Sequence, residues 1–282
     1  MKQSLADQEA ERVAEDLVAE LGISALPVCP FSIARSRDII VQPRDSDKPG
    51  VSGCLMRVGD QFGILYSSHI ENEGFIRFTV AHELGHYFIP GHCDLIFQNG
   101  VALHESRGGY VSHDPCERQA DTFASTLLMP ESLFLPALRG VGVGFNAISS
   151  LATICKTSIT STAIRYARYA EDPVAVVVSS GNTIDYCFTS DALEAIRGFR
   201  RIPKGSSLPS RSLTADFNRN EANISAGAEI GGYTPLDNWF DGVADGIEMK
   251  EDVVGLGAYG KTLTVLFTDD ILPDPDDLDE DD

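Results

Sequence analysis

Apolar residues recur at helical spacing near the start of the chain. Val13, Leu17, Val18 and Leu21 share one stripe of the otherwise charged segment Met1–Gly22, which predicts an amphipathic helix. A second run, Phe78–Phe88, is apolar on most sides and predicts a buried helix. A third begins at Asp114 as N-cap with Pro115 in the first turn, and continues through Ala120, Phe123, Ala124, Leu127 and Leu128 on one face. Residues Phe62–Tyr66 are strand-like. Asn146–Thr160 and Ser161–Ala170 read as helix, short polar break, helix.

The period changes after Glu171-Asp172-Pro173. Val174–Val178 predicts a strand that pairs with Thr183–Thr189 through the turn Ser179–Asn182. A short helix starts at Ser190 or Asp191, residues 199–222 read as loop, and strands return near Tyr233, over Glu248–Leu256 and over Tyr259–Phe267. The predicted class is α+β. A mainly helical domain with a small sheet occupies 1–145, a helix-turn-helix-like segment 146–171, an α+β domain 172–270, and an acidic, disordered tail 271–282.

Composition narrows the setting. At 282 residues the chain can bury a substantial core. No apolar run is long enough to span a membrane, and Met1–Gly22 lacks a signal-peptide core. The six cysteines are scattered with no C-x-x-C pair, as expected of thiols buried in a reducing cytoplasm. The net charge of -20 argues against broad binding to a phosphate backbone. Nine acids and no base between Asp269 and Asp282 account for part of it; the remainder of the chain is still acidic. On the helix-turn-helix-like segment only Lys156, Arg165 and Arg168 offer positive charge, so direct DNA binding is not expected. Oligomeric state has no signature here.

The chemistry concentrates in the second predicted helix, as His82-Glu83-Leu84-Gly85-His86. Two histidines four residues apart lie on one helix face, so both rings can reach one metal ion, with Glu83 beside it to take a proton from bound water. A buried helix could not carry these groups without partners, and a metal supplies one.

Zinc needs a third protein ligand, and two residues compete. His92 stands where H-E-x-x-H-x-x-G-x-x-H places its last histidine, but Ile89 replaces the glycine that would turn the chain. The other is Glu117, one turn before Asp121 on the third predicted helix. Glu117 also fits a capping box. Capping does not explain Asp121, a poor helix former in mid-helix, whereas a carboxylate that accepts the N–H of a ligating histidine does. Glu117 is therefore preferred as ligand and Asp121 as its supporting acid. Tyr87, His92, His104, Tyr110 and His113 are candidate oxyanion donors, and nothing in the sequence separates them.

Two blocks carry a family resemblance. Arg77-Phe78-Thr79-Val80-Ala81-His82-Glu83-Leu84-Gly85-His86-Tyr87, and Glu117–Ala124 followed by Leu127-Leu128-Met129-Pro130, resemble the ImmA/IrrE metallopeptidases. Val51-Ser52-Gly53 upstream, and Leu21-Gly22-Ile23 with Leu26-Pro27-Val28, also fit. The resemblance implies a zincin-like peptidase domain with metal ligands His82, His86 and Glu117 and catalytic Glu83. It implies Zn2+, with Mn2+ or another divalent ion able to stand in. It further implies limited cleavage of a helix-turn-helix repressor that releases stress or mobile-element genes. The C-terminal domain loosely resembles the GAF-like domain of some members. His92–His113 departs from the family as an insertion-like stretch. The alternative is a non-catalytic, metal-stabilised regulator that binds DNA or protein.

Overall fold

The computed structural model describes residues 4–45, 50–69, 71–98, 102–107 and 114–268. The predicted tail and two of the candidate oxyanion donors, Tyr110 and His113, lie outside them. The chain divides into two compact units. One runs to Gly140 and takes in Ser150–Ser161; the other comprises Val141–Ser149 and the chain from Thr162 onward. The class is α+β, with helices and a separate sheet in each unit. Among the described residues no helix is long and apolar enough to cross a membrane.

The first unit opens with α1 (Leu5–Glu20), capped by the Ser4 hydroxyl, which accepts from Asp7 N. Ala10, Ala14, Leu17 and Val18 are its buried stripe. After α2 (Pro30–Ser36) come β1 (Ile40–Arg44), β2 (Val51–Val58) and β3 (Gln61–Ser67). Then follow α3 (Glu73–Phe88), α4 (His92–Ile96), β4 (Leu103–Arg107), α5 (Pro115–Leu128) and α6 (Glu131–Leu138). The sheet order is β1-β3-β2-β4, with β1 parallel to β3 and the other pairs antiparallel. The described residues of the stretch 92–113 thus supply a short helix and an edge strand. Val80, Ala81 and Leu84 of α3 pack with Leu55 and Ile64 of the sheet and with Phe123, Ala124, Leu127 and Leu128 of α5.

α3 is buried on nearly every side, from Arg77 through His86, as its unbroken apolar flanks require. Its Asn72 cap accepts from Phe75 N. Arg77 bonds the carbonyls of Val28 and Lys156, so a buried guanidinium is satisfied by backbone. Gly85 lets α5 come close: a Cβ there would stand 3.1 Å from Ala120 Cα and 3.2 Å from Phe123 Cδ1. That crossing brings the first turn of α5 against the histidines of α3.

Helices α7 (Gly144–Cys155) and α8 (Ile159–Tyr169) follow. Arg165 is buried, with its guanidinium 4.7 Å from the centroid of the Tyr169 ring. The second unit is built on an antiparallel sheet of β5 (Val174–Ser180), β6 (Thr183–Thr189), β7 (Glu229–Pro235), β8 (Glu248–Gly255) and β9 (Thr262–Phe267). Its order is β6-β5-β9-β8-β7. Leu193 of α9 (Asp191–Glu194), and Leu236, Trp239 and Phe240 of and beside α12 (Leu236–Trp239), cover one part of it.

One expectation fails here. The predicted loop 199–222 contains α10 (Leu213–Asn218) and the start of α11 (Glu221–Ser225), capped by Ser212 and Asn220. Both are too short for helical periodicity to show.

Candidate metal centre

The site forms where α3, α5 and β4 meet. His82 and His86 are one turn apart on α3 and both are buried. Asp114 caps α5 by accepting from Cys116 N, which places Glu117 in the first turn beside them. His82 Nε2 and His86 Nε2 lie 3.1 Å apart. Glu117 Oε2 is 3.2 Å from the first and Oε1 3.3 Å from the second. Donors about 2.0–2.2 Å from a tetrahedral zinc ion are themselves about 3.3 Å apart, so this set fits such an ion. Two imidazole nitrogens this close need a proton or a cation between them.

The electrostatics suit a bound cation. Burial depresses His82, but its hydrogen bonds to Asp121 and Glu117 outweigh this and push it up to about 10. The His82 Nδ1–Asp121 Oδ1 distance is 2.8 Å, so Asp121 accepts the N–H opposite the converging nitrogen. Burial pushes His86 down to about 4. Burial also opposes ionisation of Glu117, but His104, His82 and His86 hold it well below the usual carboxylate range. A carboxylate kept ionised among imidazoles, with one proton trapped between them, is a cluster in which a divalent ion can replace that proton.

Glu83 is fully buried, and neither of its oxygens has a hydrogen-bond partner among the described residues. Burial pushes it up to about 7 against the pull of His82; the Ser106 hydroxyl favours ionisation but is too poorly placed for a hydrogen bond. Room for the carboxylate comes from Gly53 on β2. A Cβ at that position would meet Glu83 Oε1 at 2.6 Å and Thr79 Cγ2 at 2.5 Å.

His92 lies on the far side of His86. Ile89 ends α3, Gly91 at φ 83° turns the chain, and His92 starts α4. Its Nδ1 is 3.3 Å from His86 Nδ1, away from the Nε2 that faces His82 and Glu117. With Cys116 Sγ, 3.7 Å from that same Nδ1, it makes a second group of donor atoms. Burial holds His92 below its ordinary value and pushes Cys116 up to about 12. All six cysteines are free; Cys54 and Cys155 are buried and the others half-buried.

Two members of the site had no distinct signal in the sequence. His104 Nε2 is 2.9 Å from Glu117 Oε1, and β2 pairing sets His104 opposite Leu55 and Ser106 opposite Gly53. Only that register singles His104 out from the other histidines. Gln119, whose Oε1 is 3.2 Å from His92 Nε2, has no motif at all. Tyr87 stacks edge-on against Phe62, its ring centroid 5.0 Å away.

A helix-borne H-E-x-x-H, a glutamate from a crossing helix and an edge strand alongside make a group of donor atoms able to hold a metal ion. Residues 56–141 match the family model of the IrrE N-terminal-like domain, Peptidase_M78, so this part of the chain is similar to the ImmA/IrrE metallopeptidases. It is 29% identical over 101 residues to the radiation response metalloprotease IrrE of Deinococcus radiodurans. That alignment covers 36% of this chain and 29% of the relative, so the chain spans less than a third of the curated protein it matches. A solved structure described as a Mycobacterium tuberculosis transcriptional regulator aligns with a TM-score of 0.56 at 14% identity, over 92% of this chain and 76% of that one. It shows a shared fold.

Proposed function

We propose that the protein is a zinc-dependent endopeptidase that makes limited cuts in a regulatory protein, a helix-turn-helix repressor in the cytoplasm, and so releases stress or mobile-element genes. The observation that carries the peptidase reading is Glu83, a fully buried acid with no hydrogen-bond partner among the described residues beside a converging His82, His86 and Glu117. A purely structural metal site gains nothing from such an acid, whereas a hydrolytic one requires a base held ready.

His82, His86 and Glu117 would hold the ion, with Asp121 orienting His82. When bound, zinc supplies Lewis acidity toward a peptide carbonyl and a water molecule. Glu83 takes the proton of the attacking water and passes it to the leaving amine; its freedom from other hydrogen bonds leaves both oxygens available. His104 keeps Glu117 ionised through its contact with Oε1. The α7–α8 pair and the C-terminal sheet serve this reading as a helix-turn-helix-like docking element and a GAF-like, sensor-like platform.

The test is incubation of a candidate helix-turn-helix repressor with metal-loaded wild type and Glu83→Gln, followed by mass spectrometry. A single metal-dependent cut absent from the variant is the expected result. No metal-dependent cut in any such repressor favours the non-catalytic regulator.

A further inference from the structure

The two histidines of the motif are oriented by unlike partners. His82 Nδ1 faces a carboxylate, Asp121. His86 Nδ1 faces another imidazole, that of His92. An imidazole can accept or donate, so by itself it fixes nothing. The next residue outward decides. Gln119 Nε2 is 3.1 Å from the carbonyl oxygen of Ala6, and an amide nitrogen only donates. This turns Gln119 Oε1 toward His92 Nε2 at 3.2 Å, and an amide oxygen only accepts. In neutral His92 the proton therefore sits on Nε2 and leaves Nδ1 bare. His86 Nδ1, 3.3 Å away, must then donate.

We infer that His92 and Gln119 are positioning residues that fix the tautomer of His86, through a one-way order of hydrogen bonds ending at the Ala6 carbonyl. Each member donates outward: His86 Nδ1–H to His92 Nδ1, His92 Nε2–H to Gln119 Oε1, and Gln119 Nε2–H to Ala6. The order leaves His86 Nε2 as a bare lone pair facing His82 Nε2 and Glu117. It does so without bringing a further negative charge to a cluster that already holds Glu83, Glu117 and Asp121. Histidine ligands are oriented by whatever their other nitrogen bonds; here that partner is itself oriented by an amide. Cys116 Sγ, at 3.7 Å from His86 Nδ1, is a weak competitor for the same proton. The consequence for metal affinity rests on the metal-site reading above; the proton order does not.

The experiment uses the full chain with nitrogen-15 in its six histidines. In chelator-treated wild type, NMR reads which ring nitrogen of each carries the proton. His86 protonated on Nδ1 and His92 on Nε2 is the expected result; either one reversed overturns the inference. Two substitutions of opposite polarity then separate positioning from packing. Gln119→Glu can still accept from His92 and keeps both tautomers and Co2+ affinity. Gln119→Lys can only donate, inverts the order, and weakens Co2+ binding by roughly 10- to 100-fold. Equal losses in both variants would mean packing alone and sink the inference. His92→Ala, checked for folding by circular dichroism, leaves the His86 tautomer unfixed and should lose less affinity than Gln119→Lys. A wild type that shows these tautomers yet takes up no Co2+ refutes the metal site and leaves the proton order standing. A thiolate-to-cobalt band lost in Cys116→Ala would show the ion on His86 Nδ1, His92 and Cys116, and overturns it.

Discussion

Each unit of the molecule hides a glutamate completely. Glu251 in the C-terminal sheet accepts from Thr214 N at 2.8 Å, from Thr214 Oγ1 at 2.7 Å and from Trp239 Nε1 at 3.4 Å. Glu83 in α3 accepts from nothing among the described residues. Both are at zero exposure, so burial does not distinguish them; partners do. A buried carboxylate with every oxygen engaged is a brace that ties a helix and a tryptophan to a sheet. One with none is held for something the chain alone does not supply. An unsatisfied buried acid costs several kcal/mol unless it protonates or gains a cation, and only a working site gives a return for that cost.

The largest test exchanges the charge of the unpartnered acid. Glu83→Gln keeps shape and removes the base, so peptide cleavage falls by roughly 10²- to 10⁴-fold while metal affinity holds. Full activity in a clean preparation would end the contrast.

The second test uses pH on chelator-treated protein. Glu83 is raised from 4.5 to about 7. Its contribution to folding is therefore fully present below about 4.5 and is lost as pH climbs through about 7. Over that window wild type should lose about 3 kcal/mol of unfolding free energy relative to Glu83→Gln. Parallel denaturant curves for the two proteins at every pH would contradict a strained acid.

Gly53→Ala is expected to move Glu83 without changing it. The added Cβ falls 2.6 Å from Oε1, and a misplaced base costs on the order of 10²-fold in rate, read as a fall in kcat with unchanged Co2+ affinity. Normal kcat would show that the β2 side of the pocket yields.

The smallest effect belongs to the brace. Glu251→Leu leaves Thr214 N and Trp239 Nε1 unpaired and should lower unfolding free energy by about 1–3 kcal/mol. Cleavage per bound metal stays at the wild-type rate. A loss of cleavage without loss of stability would make Glu251 more than a brace.

The same contrast separates what the chain discloses from what it withholds. α3 and α5 were legible because their signals are local: an i, i+4 histidine pair, an Asp114 cap, a Pro115 start and an apolar stripe. Glu117 and Asp121 came with them, since one helical turn fixes their mutual position. His104 was one histidine among several, because a strand residue acquires a neighbour only when its register is known, and β4 pairs with β2 from half a domain away. Gln119 was silent for the same reason: its role exists only once His92 stands beside it. The paired strands β5 and β6 were legible through β-branched runs and a tight turn. The short helices α10 and α11 were not, since five or six residues give periodicity no room, and only the Ser212 and Asn220 caps marked them. Glu251, in a strand reading as mixed polar and apolar, gave no sign of its burial.

Gln119 finds its final acceptor 113 positions earlier, at the carbonyl of Ala6 in the opening turn of α1. Helix ends fray first. Were that turn to open, the amide would be free to rotate, and with it the sense of every proton between there and His86. The proposed proton order thus ties ligand polarity to the first turn of α1. A bulky tag or a partner gripping Ser4–Gln8 would register as a change in metal retention, although it touches no ligand.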